Sequence, residues 1–475
     1  MDKSYVIAGD LGTSSVKLAA VDPEGHILRS VTEAYSLYCE GKEAEQDPQE
    51  YWEAVCRGTK RLTEVLAAEN CRGLVFATQW RSVIPLDDQG KVLRRAIIWM
   101  DRRADQEAEE INQALGEKRF TGTGYWPKLL WYRRHEPELY ARTAHILEAN
   151  AFLKWKATGQ FSSDVTNNYT RAFHAERDAF FRKLLALSEA DLSLFPPLCT
   201  SEETVGHVTE EAAAQLHLPA GTPVCGGCCD IAALAIGTGC SQAGDYHAYL
   251  GTSGWVGCIE PVDPLNSYQP SLQASLDVGL YPLGISAGPT TQWMLDTFFA
   301  AEKKEYGEEI WACLDKRLED IPAGSGRLLA APFTSGRVGG VFINLTAAHT
   351  REHMLKAVFE SYGYLIRQKL EKAAEDTGKA PAHLTFCGGA AVNRIMMQAM
   401  ADILQIEIRV PESPKDRGAI GAALCALQSA DRQQKPLHYR SYFPCRENIA
   451  EYELLYRQFS DIRPSLTGLS TALNQ

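Results

Sequence analysis

Apolar positions at the start of the chain alternate around a polar turn. Tyr5-Val6-Ile7-Ala8 runs into Gly9-Asp10-Leu11-Gly12-Thr13, after which Val16, Leu18 and Ala20 alternate with Lys17 and Ala19. A period of two on both sides of a glycine turn predicts a β-hairpin, not a strand feeding a helix. The spacing then becomes helical. Asp47 is expected as N-cap, Pro48 as the first helical residue and Glu50 as the residue closing a capping box, ahead of a stripe of Trp52, Val55, Cys56, Val65 and Leu66. Sheet alternating with helix predicts an α/β fold.

The same pattern returns later. DLGTSSVKLAAVD at 10–22 and YLGTSGWVGCIEP at 249–261 each place Leu-Gly-Thr-Ser between strand-like flanks. Two related halves follow, with a boundary near Gly244-Asp245 and domains 1–244 and 245–475. In the second half Leu355, Val358, Phe359, Tyr362, Leu365, Ile366 and Leu370 recur at helical spacing and predict a long buried helix. The strand Leu384-Thr385-Phe386 breaks at Cys387-Gly388-Gly389-Ala390-Ala391 and opens into a helix carrying Ile395, Ala399, Met400, Ile403 and Leu404. Gly418-Ala419-Ile420-Gly421-Ala422-Ala423 begins a small-residue helix that can approach other backbone closely.

Bulk properties narrow the function. A chain of 475 residues supports two cores, and a cleft between them is the expected place for chemistry. Forty-eight Lys plus Arg against sixty Asp plus Glu give a formal charge of -12, which offers no broad footprint for nucleic acid or an anionic membrane. No stretch approaches the ~20 apolar residues of a bilayer span, and the opening residues lack a cleavable secretory pattern, so a cytoplasmic location is expected. The thirteen cysteines are scattered and odd in number, as reduced thiols are. Cys225, Cys228 and Cys229 lack a second pair at zinc-ligand spacing.

Phosphoryl transfer requires backbone N–H groups near phosphate, a carboxylate for Mg2+ and a base for the attacking hydroxyl. Gly12 lets the first turn come close to a phosphate, Thr13, Ser14 and Ser15 add donors, Asp10 can face a hydrated Mg2+, and Lys17 adds positive charge. A single such turn reads more readily as a hairpin satisfying its own backbone. Its echo at Gly251-Thr252-Ser253 favours a phosphate clamp. No GxxxxGK[ST] stretch is present, so phosphates are not held by a P-loop. Gly388-Gly389 offers a bare surface for adenosine, with Asn393 in reach of base or ribose, although taken alone the diglycine reads better as a plain strand-to-helix turn. Asp230, after Gly226-Gly227 and before the apolar run Ile231–Ile236, reads as a general base or as an N-cap.

Together these segments resemble the FGGY family of carbohydrate kinases over nearly the whole chain. The ordered matches are DLGTSS at 10, TQWRS at 78–82, IIWMDRRA at 97–104, PKLLW at 127–131, GGCCD at 226, LGTSG at 250 and FCGGAAVNRIMMQAMADIL at 386. The segment 340–360 follows the family's C-terminal signature except that Asn344 stands where glycine is usual, and Tyr125 stands where the N-terminal signature tends to have Ser, Thr or Pro. The resemblance implies a pair of actin-like, ribonuclease H-like ATPase domains that close on MgATP and a sugar. It implies Asp230 as catalytic base touching substrate and metal, and Asp10 as the residue serving metal and phosphates. It also places Gln79, Trp80, Arg81, Trp99 and Asp101 at sugar-pocket positions. WMDRRA is nearer the pentulose and hexulose kinases, so the expected acceptor is a ketose, xylulose first, with another ketose, a polyol or a sugar acid as alternatives. Monomer and homodimer both stay open, and an actin- or chaperone-like ATPase without sugar transfer is the competing class.

Overall fold

The computed structural model describes residues 4–167, 175–261, 271–273, 276–332, 338–427 and 437–472. Its chain divides into two units. One comprises Met1–Gly237, Pro261–Val278 and Gly418–Lys435, the other Thr238–Glu260, Gly279–Arg417 and Pro436–Gln475. The single cut expected at 244/245 is therefore replaced by an earlier crossing and two returns. The second return has a visible cause: a Cβ built on Gly421 would lie 1.8 Å from Ala233 O, so the helix Arg417–Leu427 touches the helix Asp230–Gly237 backbone to backbone.

The first unit is built on a sheet whose strands run, in spatial order, Thr204–His207, Pro223–Cys225, Cys71–Thr78, Tyr5–Leu11, Ser15–Val21 and Ile27–Ala34, with Cys228–Cys229 also pairing on Cys71–Thr78. Tyr5–Leu11 and Ser15–Val21 form the predicted hairpin, with Asp10 opposite Lys17 and Leu11 opposite Val16. Cys71–Thr78 joins it in parallel, Pro223–Cys225 joins in parallel again, and Thr204–His207 closes the edge antiparallel. The second sheet follows the same scheme. Tyr246–Leu250 and Gly254–Pro261 make the hairpin, His383–Cys387 and Glu407–Pro411 follow in parallel, and Tyr439–Tyr442 returns antiparallel. The repeated Leu-Gly-Thr-Ser thus marks a repeated topology.

The helix Pro48–Thr63 packs Trp52, Val55 and Leu62 into the first core with Leu18 and Val31. Asp47 caps it by accepting from Gln49 N at 2.9 Å, and Pro48 opens it where no N–H is needed. Glu50 does not close a capping box. Its carboxylate turns to Ser36 N (2.6 Å) and Tyr38 Oη (3.0 Å), and the Ser36 backbone bond is the main reason its pKa falls below the ordinary value. Val65 lies beyond the helix end and is exposed, and Leu62 takes its place in the apolar stripe.

In the second unit the helix Arg351–Thr377 buries every residue of the predicted stripe, from Leu355 to Leu370. At about 1.5–3 kcal/mol for each large apolar side chain, that face is the main anchor of the second core. Asn344, at the position where the resembling family has glycine, has φ 66°. Asn is among the side chains that best tolerate this left-handed conformation. All thirteen cysteines are free thiols. Cys228 is pushed above the usual thiol range by its hydrogen bond to Cys425 and by burial. Among the described residues no helix is long and apolar enough to cross a membrane.

Candidate active site

The first hairpin turn is held from outside by side chains that leave its tip fixed. Gly12 N bonds Ser15 O at 3.0 Å, and the Tyr35 hydroxyl lies against the carbonyl oxygens of Gly12 and Ser15. Thr13 O accepts from Gln46 Nε2 at 2.6 Å, and Thr13 Oγ1 accepts from Trp99 Nε1 at 3.1 Å. Gln79 is tied to the same structure. Its backbone N donates to Leu11 O (2.7 Å), and its Nε2 donates to Gln46 Oε1 (2.6 Å) and Tyr51 Oη (3.2 Å). Gln46, Tyr51 and Gln79 are all buried. Gln79 Oε1 has no hydrogen-bond partner among the described residues. A buried acceptor left in that state costs about 1–3 kcal/mol, which a ligand hydroxyl donating to it would recover.

Trp80 and Arg81 form one stacked unit, with the Arg81 guanidinium carbon 4.1 Å from the Trp80 ring centroid. Arg81 has φ 66°, a left-handed conformation costly for a long side chain. Its carbonyl is held by Lys128 Nζ at 3.0 Å, and the same ammonium donates to Ile98 O at 2.7 Å. Lys128 therefore ties the Gln79–Arg81 loop to the loop before Trp99. It is fully buried, and burial drives its pKa well below the usual lysine value. The sequence pointed to this lysine only as part of PKLLW. The signal for its role was a charge in the middle of an apolar helix, Tyr125–His135.

Asp101 is turned inward. Fully buried, it accepts from Ala44 N (2.7 Å), Arg103 N (3.0 Å) and the Arg103 guanidinium (2.8–3.0 Å). It braces the loop that carries Trp99 and presents no open oxygen of the kind expected at a sugar-pocket position, because the ion pair with Arg103 occupies it.

Asp230 opens the helix Asp230–Gly237, where its Oδ1 accepts from Ile231 N at 2.9 Å. Burial raises its carboxyl to about 7, and the negative charge of Asp10 adds to the shift. The two carboxylates are therefore near enough to repel one another within the first unit. Gly226 and Gly227 serve the chain's own approach to itself: added Cβ atoms would fall 1.9 Å from Thr200 O and 2.2 Å from Phe76 O. Gly418 borders Asp10 in the same way, its added Cβ falling 2.3 Å from Asp10 Oδ2.

The second unit contains a cavity of about 550 Å3. Leu250, Gly251 and Thr252 of the second hairpin line one side, and Gly389, Ala390, Asn393 and Met396 another. Its size falls within the range of cofactor pockets. Gly389 has no atom within 4 Å of an added Cβ and so opens onto the space, while Gly388 (φ 97°) packs against Leu250 O, 2.5 Å from its added Cβ. Asn393 lines the wall with a side chain already engaged, accepting from Met396 N (2.7 Å) and donating to Asp315 Oδ1 (3.1 Å). Ser253 holds the turn through its carbonyl, which accepts from Gly251 N at 2.9 Å. Sequence reading missed Gly288 and Trp311, both of which line the cavity. Gly288 N bonds Gly251 O at 2.8 Å, a contact set by tertiary packing and hinted at only by Gly288-Pro289 at the start of the helix Ala287–Phe298.

Comparison with known proteins finds matches along the whole length of both units. Residues 5–237 match the N-terminal domain, and residues 248–430 the C-terminal domain, of the FGGY family of carbohydrate kinases. The chain is 29% identical over 447 residues to a xylulose kinase of Staphylococcus epidermidis, covering 90% of this chain and 88% of that protein. It is 27% identical over 502 residues to the xylulose kinase of Bacillus subtilis, covering 99% and 98%. Its fold superposes on the crystal structure of a xylulose kinase from Lactobacillus acidophilus with a TM-score of 0.81 at 21% identity, covering 98% of both chains.

Proposed function

Because the chain belongs to the FGGY family of carbohydrate kinases, we propose that it transfers the γ-phosphoryl group of MgATP to a hydroxyl of a ketopentose, xylulose first. The observation that carries the mechanism is Asp230, a carboxyl raised to about 7 by burial and by Asp10, at the start of a helix. A base of that pKa is matched to neutral pH. In this reading Asp230 takes the proton of the attacking hydroxyl, and Gln79 Oε1 accepts from another hydroxyl of the sugar. Trp80, Arg81 and Trp99 shape the pocket, while Lys128, Arg103 and Asp101 hold its loops. The cavity of the second unit takes the adenosine, and each glycine hairpin offers backbone N–H groups of the kind that suit a phosphate. Two carboxylates form a hard oxygen donor set suited to Mg2+. Held through Asp10 and Asp230, the ion would neutralise charge on the phosphate oxygens. The need for a supply of ATP supports a cytoplasmic location.

The relatives named xylulose kinase support a ketopentose. The Arg81 guanidinium stacked on Trp80 supports a second reading, a sugar acid. A coupled assay across D-xylulose, L-xylulose, ribulose, glycerol and gluconate separates the two. The expected result is the highest kcat/KM with a xylulose. A gluconate value more than tenfold above every ketose would replace the first reading with the second.

The same carboxyl sets a pH dependence. Asp230 is active only when ionised, so kcat/KM is expected to fall toward acid pH and to level off at higher pH. The break is expected at or below the value of about 7 that burial and Asp10 give the metal-free carboxyl, because Mg2+ held beside it favours the ionised form. A rate profile flat from pH 4 to 8 would remove Asp230 from the role of base.

A further inference from the structure

Behind the turn that ends on Asp230 lies a buried polar cluster with no part in the chemistry above. Thr166 Oγ1 accepts from Cys229 N at 2.7 Å and donates its single hydroxyl proton to Asp164 Oδ1 at 2.5 Å. Asp164 is fully buried, and its carboxylate also accepts from Thr166 N (2.9 Å), Asn167 N (3.1 Å) and Asn167 Nδ2 (2.7 Å). With both oxygens occupied, the carboxylate fixes which way the Thr166 hydroxyl points, and its lone pairs are left facing the Cys229 amide. Lys154, also fully buried, donates to Gly226 O at 3.0 Å. On the remaining side Gly226 N and Gly227 N bond Glu203 O and Ser201 O at 2.8 and 3.0 Å, and Cys228–Cys229 pairs with Ala77–Thr78.

Ionisable groups taken out of water cost several kcal/mol each unless paired and hydrogen-bonded. Apolar side chains would fill the space behind the turn without that cost. What they could not do is accept the N–H of Cys229, the residue before Asp230. A catalytic group must be held within about 0.5 Å of its productive place, and a misplacement of about 1 Å can cost on the order of 100-fold in rate.

We propose that Thr166, oriented by Asp164, is a positioning residue for the base: it fixes the Cys228–Cys229 peptide, one residue ahead of Asp230, so that the Asp230 carboxylate meets the acceptor hydroxyl. The inference rests on the reading of Asp230 as base. Thr166→Val keeps the shape and deletes the acceptor, Thr166→Ser keeps the hydroxyl, and Thr166→Cys supplies a weak acceptor of similar size. Thr166→Val is expected to lower kcat roughly 10- to 100-fold with KM for ATP unchanged. Thr166→Ser should restore kcat to within about threefold of the parent, and Thr166→Cys should fall between. In an Asp230→Asn background Thr166→Val should cost nothing further, since the two act as a unit. Parental kcat in folded Thr166→Val, or in Thr166→Cys should the valine variant fail to fold, overturns the proposal. So does a loss no larger than the loss of folded protein measured by circular dichroism. If Asp230→Asn itself retains turnover, the base assignment fails and takes this inference with it. If Asp230→Asn is inactive while Thr166→Val is unimpaired, the positioning role alone fails.

Discussion

Asp230→Asn is expected to lower sugar phosphorylation by at least about 10^3-fold, within the range that removal of a general base produces, while leaving the binding of ATP measured without Mg2+ nearly unchanged. The second half of that expectation comes from where the nucleotide cavity is built. Every residue that lines it belongs to the second unit, whereas Asp230 and its neighbours belong to the first. Isothermal titration with ATP and a coupled turnover assay on the same preparation measure the two effects. Substantial turnover in the variant would end the assignment.

The same substitution should stabilise the protein, and the sign can be worked out. The carboxyl of Asp230 is raised from 3.8 to about 7 in the folded state. An acid shifted upward binds its proton more tightly when folded. Its contribution is therefore fully present below the unfolded pKa and is lost as pH rises through about 7. Asn carries no such loss. The denaturation midpoints of parent and variant should be closest near pH 4 and separate as pH approaches 8, by on the order of 1–3 kcal/mol for this partly exposed group. Lost activity with gained stability is the signature of a residue kept for chemistry. Loss of both would mark it as structural.

Gly421→Ala is expected to destabilise the first unit by about 3 kcal/mol or more, the upper range for overpacking. Alanine at an exposed helical glycine normally stabilises by up to about 1 kcal/mol. Here the new Cβ would sit 1.8 Å from Ala233 O, 2.7 Å from Ala233 C and 2.9 Å from Gly237 N. These are backbone atoms of the helix that begins with Asp230, so relief requires moving that helix. Urea denaturation should show the midpoint falling, and kcat should fall with it. Gly418→Ala is the useful contrast, since the three atoms nearest its Cβ belong to the side chain of Asp10 and not to backbone. A Gly421→Ala protein as stable as its parent would mean that the two helices do not touch as described.

What could be read in the sequence was what local spacing encodes. The hairpin at Tyr5–Val21, the cap at Asp47, the stripe from Leu355 to Leu370 and the echo at Leu250–Gly254 depend on neighbours two to four residues apart, and all were visible. Polar partners brought together by the fold were not. Glu50 suits a capping box until Ser36 and Tyr38, placed by another part of the chain, take its carboxylate. Asp101 looks available until Arg103 folds back onto it, and Asn393 until Asp315 arrives opposite. Asp164, Thr166 and Lys154 gave no signal, because a buried charge looks like a surface one until its surroundings are known.

The discontinuity of the first unit has a consequence for how the protein is made. By residue 237 the ribosome has delivered Asp10, Gln79, Arg81 and Asp230, yet the piece Gly418–Lys435 that completes the same unit emerges only after most of the second unit has been synthesised. Domains of a nascent chain ordinarily fold in order of appearance. Here the first to appear is among the last to be finished, and during that interval the helix behind Asp230 lacks its covering partner. A chain terminated near residue 417 would carry every group proposed to read the acceptor and would still lack the wall that holds the base. For the same reason the gene cannot be divided by one cut into two self-sufficient halves.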